Sequence, residues 1–168
     1  MATRQGLATN LGGNLQLWSF QFTWNDLVGT AGLTKTQNLF DLLSGPPYNT
    51  STAWQIPQGS VALYLRVKAS VAFAGTSITS LKARVGKSGG ATNFFTNDFE
   101  LTTTVADGTL QETFSLPLGQ LSAVTPTVTF TAVGANMTAL TAGVVNFDLL
   151  LVPVTTPTTT PFSSTNVL

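Results

Sequence analysis

Residues 61–73 read VALYLRVKASVAF. Val61, Leu63, Leu65, Val67, Ala69, Val71 and Phe73 alternate with Ala62, Tyr64, Arg66, Lys68, Ser70 and Ala72. Apolar side chains that recur at every second position belong to one face of a β-strand. Thirteen residues at about 3.3 Å each would span roughly 43 Å, which is long for one strand, so a bend or bulge is expected midway.

The same period extends in both directions. Trp18, Phe20, Phe22 and Trp24 alternate with Ser19, Gln21 and Thr23, which predicts four aromatics on one face. Leu81, Ala83 and Val85 alternate with Lys82 and Arg84, and Val128, Phe130 and Ala132 with Thr127, Thr129 and Thr131. Residues 144–152 place Val145, Phe147, Leu149 and Leu151 on one side. Their other side is also apolar toward the end, which marks a central strand or one covered by a partner. Residues 36–43, 94–101 and 110–116 are weaker strand candidates. Residues 86–90 (GKSGG) and 106–109 (ADGT) are turns. Residues 25–33 and 136–142 each leave room for one short helical turn, and no longer segment carries a helical period with caps. About eight strands with turns between them predict an all-β fold. An antiparallel β-sandwich, jelly-roll-like, is favoured, and a closed barrel is the alternative.

The 168 residues, 17.6 kDa, suffice for one domain. We place a single β-sandwich domain at 15–152. Residues 1–14 (MATRQGLATNLGGN) form an N-terminal arm without a sustained period. Residues 153–168 (PVTTPTTTPFSSTNVL) form a Pro/Thr-rich C-terminal arm, because proline removes ladder donors.

Composition narrows the chemistry. Without Cys and His there is no disulfide, no thiolate, and neither the commonest general base nor the commonest metal ligand. Charged residues make up 8% of the chain against about 25% in ordinary soluble proteins. The net charge is zero, so no footprint for nucleic acid or an anionic membrane is visible. No apolar run approaches the roughly 18 residues of a membrane span. The first residues lack a secretory core, which predicts synthesis in a cytoplasm without a signal peptide. Thr and Ser fill 41 positions, so hydroxyls take over solvation from charges. A neutral surface of this kind suits a protein buried against neighbours in an assembly.

Individual motifs are thin. Gly86-Lys87-Ser88 matches the end of a phosphate-binding loop, but position 81 is Leu81 where that motif requires glycine, so a strand connection is expected. Asp98 and Glu100 share a strand face. With Asn93, Asn97 and Asp107 they could begin a calcium site, although an exposed polar face is the expectation. Asp26 is expected to end a turn or cap a helix. The row Thr127, Thr129, Thr131 is a single rung and too short for a water-ordering array. Trp54, in a Pro- and Gly-rich stretch, and Tyr64 could together stack on a sugar ring. No catalytic, cofactor-binding or metal-binding residue is assigned, and no enzyme is expected.

Three stretches resemble small virion proteins of tailed bacteriophages. They are 36–42 (TQNLFDL) with 56–59 (IPQG), 67–75 (VKASVAFAG) running on to 81–86 (LKARVG), and 130–136 (FTAVGAN) with 139–143 (ALTAG). The resemblance covers roughly 36–152 and leaves out both arms. It implies a β-sandwich without catalytic residues that decorates or cements a capsid. It also implies the major capsid protein as partner, commonly a homotrimer, and a place on the outer capsid surface. A tail, head-fibre or baseplate component and a carbohydrate-binding module are the competing expectations. For partner contacts we single out Arg4, Leu7, Leu11, Trp54, Phe162, Val167 and Leu168. An arm repays its ordering entropy only by burying side chains such as these or by pairing with a neighbour's sheet.

Overall fold

A computed structural model describes residues 15–39, 60–102 and 125–152 in full, and the backbone of 5–10 and 110–115. Among these residues the strands are β1 (Gln5–Asn10), β2 (Gln16–Thr23), β3 (Thr34–Asn38), β4 (Val61–Gly75) and β5 (Ser80–Lys87). They continue with β6 (Phe99–Glu100), β7 (Leu110–Ser115), β8 (Pro126–Val133) and β9 (Leu140–Val152). One helical turn, α1 (Trp24–Leu27), follows β2, and a 3-10 turn (Met137–Ala139) precedes β9. Both fall where a short helical turn was expected.

The strands form two antiparallel sheets, a five-stranded one in the order β1-β2-β9-β4-β7 and a four-stranded one in the order β3-β8-β5-β6. The fold is the β-sandwich that the alternation predicts. Its pairings include β2 with β9, β3 with β8, β4 with β7 and β5 with β6. The first half of the chain therefore pairs with the second half in reverse order, as a long hairpin does when rolled onto itself.

The core lies between the sheets. Trp18, Phe20 and Phe22 of β2 are buried, as are Leu65, Val67 and Ala69 of β4 and Val145, Phe147 and Leu149 of β9. The four-stranded sheet contributes Leu81, Ala83 and Val85 of β5 and Val128, Phe130 and Ala132 of β8. Phe22 stands edge-on to Phe130 with ring centroids 5.2 Å apart and to Phe147 at 5.9 Å. This geometry suits the ring quadrupole and adds to the roughly 1.5–3 kcal/mol of burying each ring.

Several expectations need correction. Trp24 does not continue the aromatic row, because the chain turns into α1 at that residue and leaves the ring only partly buried against the core. Thr23 donates its N–H (2.8 Å) and its hydroxyl (2.9 Å) to Asp26. Asp26 thus closes the first turn from within α1, and the capping position belongs to Thr23. Strand β3 covers Thr34–Asn38 and so begins before the expected 36–43, of which 40–43 lie outside the described residues, and β6 has two residues rather than the eight of 94–101. Strand β4 is irregular, as its length suggested. Its register against β9 shifts at Ala62/Tyr64 and repeatedly between Ala69 and Gly75. These shifts bury Ala62 and leave Val71 exposed, although the strict alternation places Val71 inside. Each bulge adds one residue and flips the facing of those beyond it.

Residues 5–10 of the expected N-terminal arm pair with β2, Leu7 opposite Ser19 and Asn10 opposite Gln16. A strand that hydrogen-bonds along one side gives only a weak periodic signal, and Gly6 and Ala8 blur it further. Gln5 lies opposite Gln21, and Leu151 opposite Gln16. Gln5 and Leu151 therefore lie toward opposite ends of the five-stranded sheet.

Candidate functional site

Each sheet turns a polar face outward, and among the described residues an arginine–aspartate pair lies on each side of the sandwich. On the five-stranded sheet, register aligns Ser19, Asp148 and Arg66 across β2, β9 and β4. Arg66 donates to Asp148 Oδ2 from Nε (2.8 Å) and from Nη2 (2.5 Å). Asp148 is buried, whereas the arginine side chain is 41% exposed and lies as a lid over the carboxylate. Charge-assisted bonds of this length offset the desolvation of the buried oxygen. One step along the strands, Gln21 donates from Nε2 to Asn146 Oδ1 at 3.0 Å. One step the other way, Leu150 is buried between Leu17 and Tyr64. Leu150 is thus covered within the chain, and β9 is central, the first of the two readings its two-sided pattern allowed.

The four-stranded sheet aligns Thr36, Thr129 and Arg84 across β3, β8 and β5. Thr36 and Thr129 share a hydroxyl hydrogen bond of 3.0 Å. Asp98 stands next, its Oδ1 3.7 Å from Arg84 Nε, which is too long for a hydrogen bond. Arg84 Nε is buried and has no hydrogen-bond partner among the described residues. Leaving such a donor unpaired costs about 1–3 kcal/mol. Arg84, Asp98, Asn93 and Asn97 line an open cavity of about 350 Å³.

Glu100 is used differently. Its Oε2 accepts from the Ser80 hydroxyl (2.5 Å). Its Oε1 accepts from the Leu81 N–H (3.1 Å), the Thr102 N–H (3.1 Å) and the Thr102 hydroxyl (2.5 Å). Partial burial pushes the carboxyl pKa up, but these hydrogen bonds outweigh it and hold the group below its ordinary value. Glu100 therefore ties the two-residue strand β6 to β5, and Asp98 faces the cavity. The two carboxylates that the sequence reading grouped have separate tasks.

The calcium expectation gains little from this geometry. Asn93, Asn97 and Asp98 do come together, but the fourth lining residue is a cation, and Asp107 lies outside the described residues. Among the described residues no three acidic side chains gather as metal ligands would. The phosphate reading of Gly86-Lys87-Ser88 fails on backbone grounds. Lys87 N–H donates to Ala91 O, Ser88 N–H to Thr125 O, and Gly90 N–H to Lys87 O. These donors are committed, so they cannot wrap a phosphate. Lys87 Nζ instead sits 4.7 Å from the centroid of the Phe94 ring.

Of the singled-out contact residues, Arg4, Leu11, Trp54, Phe162, Val167 and Leu168 lie outside the described residues, as does the side chain of Leu7. The Trp54–Tyr64 stacking platform therefore has only Tyr64 described, half-buried beside Leu150. Sequence reasoning missed the pairing of Arg66 with Asp148 and the approach of Arg84 to Asp98. The available signal was that Arg66, Arg84 and Asp148 each occupy the polar phase of an alternating strand, whereas Asp98 precedes β6. No helix among the described residues is long and apolar enough to cross a membrane.

No known protein family and no curated protein matches the sequence. Solved structures do match in shape. A chain of the capsid asymmetric unit of cyanophage Pam1 aligns over 90% of this chain and 93% of its own length, with 15% identity and a TM-score of 0.52. A chain of the acid-stable capsid of Helicobacter pylori bacteriophage KHP30 aligns over 88% and 91%, with 14% identity and a TM-score of 0.46. A carbohydrate-binding module of Cellvibrio mixtus lichenase 5A, solved with cellotriose, aligns over 89% and 86% with 14% identity, but its TM-score is 0.23. The cyanophage chain shares the fold over most of both chains.

Proposed function

We propose that the chain is a non-enzymatic virion structural protein that decorates and cements a phage capsid. The observation that carries this reading is the end-to-end likeness to a chain of the Pam1 capsid asymmetric unit, with mutual coverage of 90% and 93%. The rolled pairing of β2–β9 supports the finer description of the sandwich as a jelly roll.

The physical properties suit the role. A rigid sandwich with almost no net field can lie against a shell without desolvating many charges. Gln5 and Leu151 lie toward opposite ends of the five-stranded sheet, which suits contact with two different neighbours. In this proposal they and one sandwich face bind major capsid protein subunits on the outer surface, with three copies around a local three-fold axis. Binding the assembled shell but not its separate subunits shifts the equilibrium toward the shell.

The test uses phage heads prepared without the chain, mixed with the purified full chain, then sedimented and imaged. Co-sedimentation with density at regular positions on the outer shell is expected, together with a solution mass of about three chains. Failure to bind heads, or density confined to the tail, overturns the proposal.

A further inference from the structure

We propose that residues 153–168 of one copy dock on an apolar patch of the five-stranded sheet of a neighbouring copy, so that the copies clasp one another in a ring. This deepens the proposed function and rests on its arrangement of three copies. The outer face of the sheet divides along β9, where Asn146 and Asp148 are polar but Leu150 and Val152 are apolar. Register sets Leu17 and Tyr64 on either side of Leu150, and Val61 opposite Val152. Leu150 is the buried floor of this patch. Leu17, Tyr64, Val61 and Val152 stay only half-buried within a single chain. None of the five is charged, and in the next row Arg66 and Asp148 bond each other. An apolar patch without free charge fits an occupant of the same kind.

Residues 153–168 are such an occupant. They carry no charge, and Phe162, Val167 and Leu168 give them large apolar side chains. They follow Val152 directly and so leave the body at the border of the patch. Pro153 favours an extended Val152, which carries the chain onward past the end of the sheet, while the patch lies behind on β9. The patch in line with this exit is therefore a neighbour's. Residues 153–161 span at most about 30 Å, enough for Phe162 to reach a copy alongside. A contact between two different surfaces, repeated by the same rotation, closes into a ring.

The chain has no Cys, so introduced thiols report one contact at a time. Full chains with Val61→Cys and full chains with Phe162→Cys, differently tagged, are mixed and oxidised. In parallel, light scattering gives the solution mass of the unmodified chain with and without residues 153–168. The expected results are a disulfide between the two kinds of chain, a mass of about three chains for the full chain, and a mass of one chain after removal of 153–168. Phe162→Asp and Tyr64→Asp should each raise the concentration needed for association about tenfold or more. Phe162 follows the last strand, so its variant keeps the sandwich, which an unchanged circular dichroism spectrum verifies. A chain with both thiols that closes the disulfide within itself at high dilution overturns the proposal, as does an unchanged mass after removal of 153–168. A full chain that forms the ring yet leaves phage heads bare overturns the proposed function alone. A full chain that decorates heads as a monomer overturns the clasp alone.

Discussion

Arg66 and Asp148 face each other across β4 and β9, and two nitrogens of the guanidinium converge on one carboxylate oxygen. The aspartate is buried and the arginine is its cover. Removing the cover leaves a buried carboxylate without its counter-charge. Arg66→Ala should therefore destabilise the protein by about 1–3 kcal/mol, discounted from the deep-burial figure because the arginine itself is part-exposed. Paired with Asp148→Asn in a double-mutant cycle followed by urea unfolding, the two losses should be clearly less than additive. Additive losses would show that the pair contributes no coupling.

Gly143 has φ +138°, and a Cβ there would stand 2.3 Å from ring atoms of Phe73. Both the backbone conformation and the space exclude a side chain. Gly143→Ala should destabilise by about 2–4 kcal/mol through strain and overpacking. Phe73→Leu in the same chain should recover part of that loss, measured as the shift in the urea midpoint.

Glu100 sets an acid limit. Its carboxyl is held below the ordinary value of 4.5 because the bonds from Ser80, Thr102 and Leu81 outweigh the effect of burial. Below that value the unfolded chain binds this proton before the folded one does, so stability falls with falling pH. Its contribution is intact above 4.5 and is lost as pH drops through the folded pKa. Glu100→Gln should flatten this part of the pH–stability curve, followed by thermal unfolding between neutral and strongly acidic buffers. An unchanged slope would assign acid sensitivity to other carboxylates.

The two chain ends should respond differently to truncation. Residues 1–14 include β1, whose loss bares one edge of β2 from Gln16 to Gln21. Removing them should lower the unfolding midpoint as well as capsid occupancy. Removing 153–168 should lower occupancy of phage heads while leaving the midpoint of the sandwich unchanged. Occupancy equal to that of the full chain after both truncations would exclude a binding role for the ends.

Much of the sandwich was legible because its strands obey a two-residue period with little interruption. Trp18, Phe20 and Phe22 are buried as their alternation required, and so are Leu81, Ala83 and Val85. Legibility failed where the period breaks. The bulges of β4 exchange the facing of Val71 and Ala62, which no local propensity encodes. Strand β6 is held by Glu100 side-chain bonds more than by a run of β-forming residues, so its ends could not be read. Thr127 and Thr129 read only as part of a short threonine row, and their burial follows from β8 lying between β3 and β5. The cavity was half legible. Asn93, Asn97 and Asp98 were grouped correctly, but the partner that decides its chemistry, Arg84, arrives from another strand.

The sequence by itself determined an all-β chain with a neutral hydroxyl-rich surface and no His or Cys chemistry. Composition and a local period suffice for that, since both act within a few residues of each position. The tertiary structure decided which strands are neighbours. Pairing β2 with β9 and β3 with β8 brings together residues far apart in the chain, and only that register sets Asp148 beneath Arg66 and leaves Arg84 just short of Asp98. These relationships depend on long-range backbone hydrogen bonding and on the space between two packed sheets, for which a single strand carries no signal.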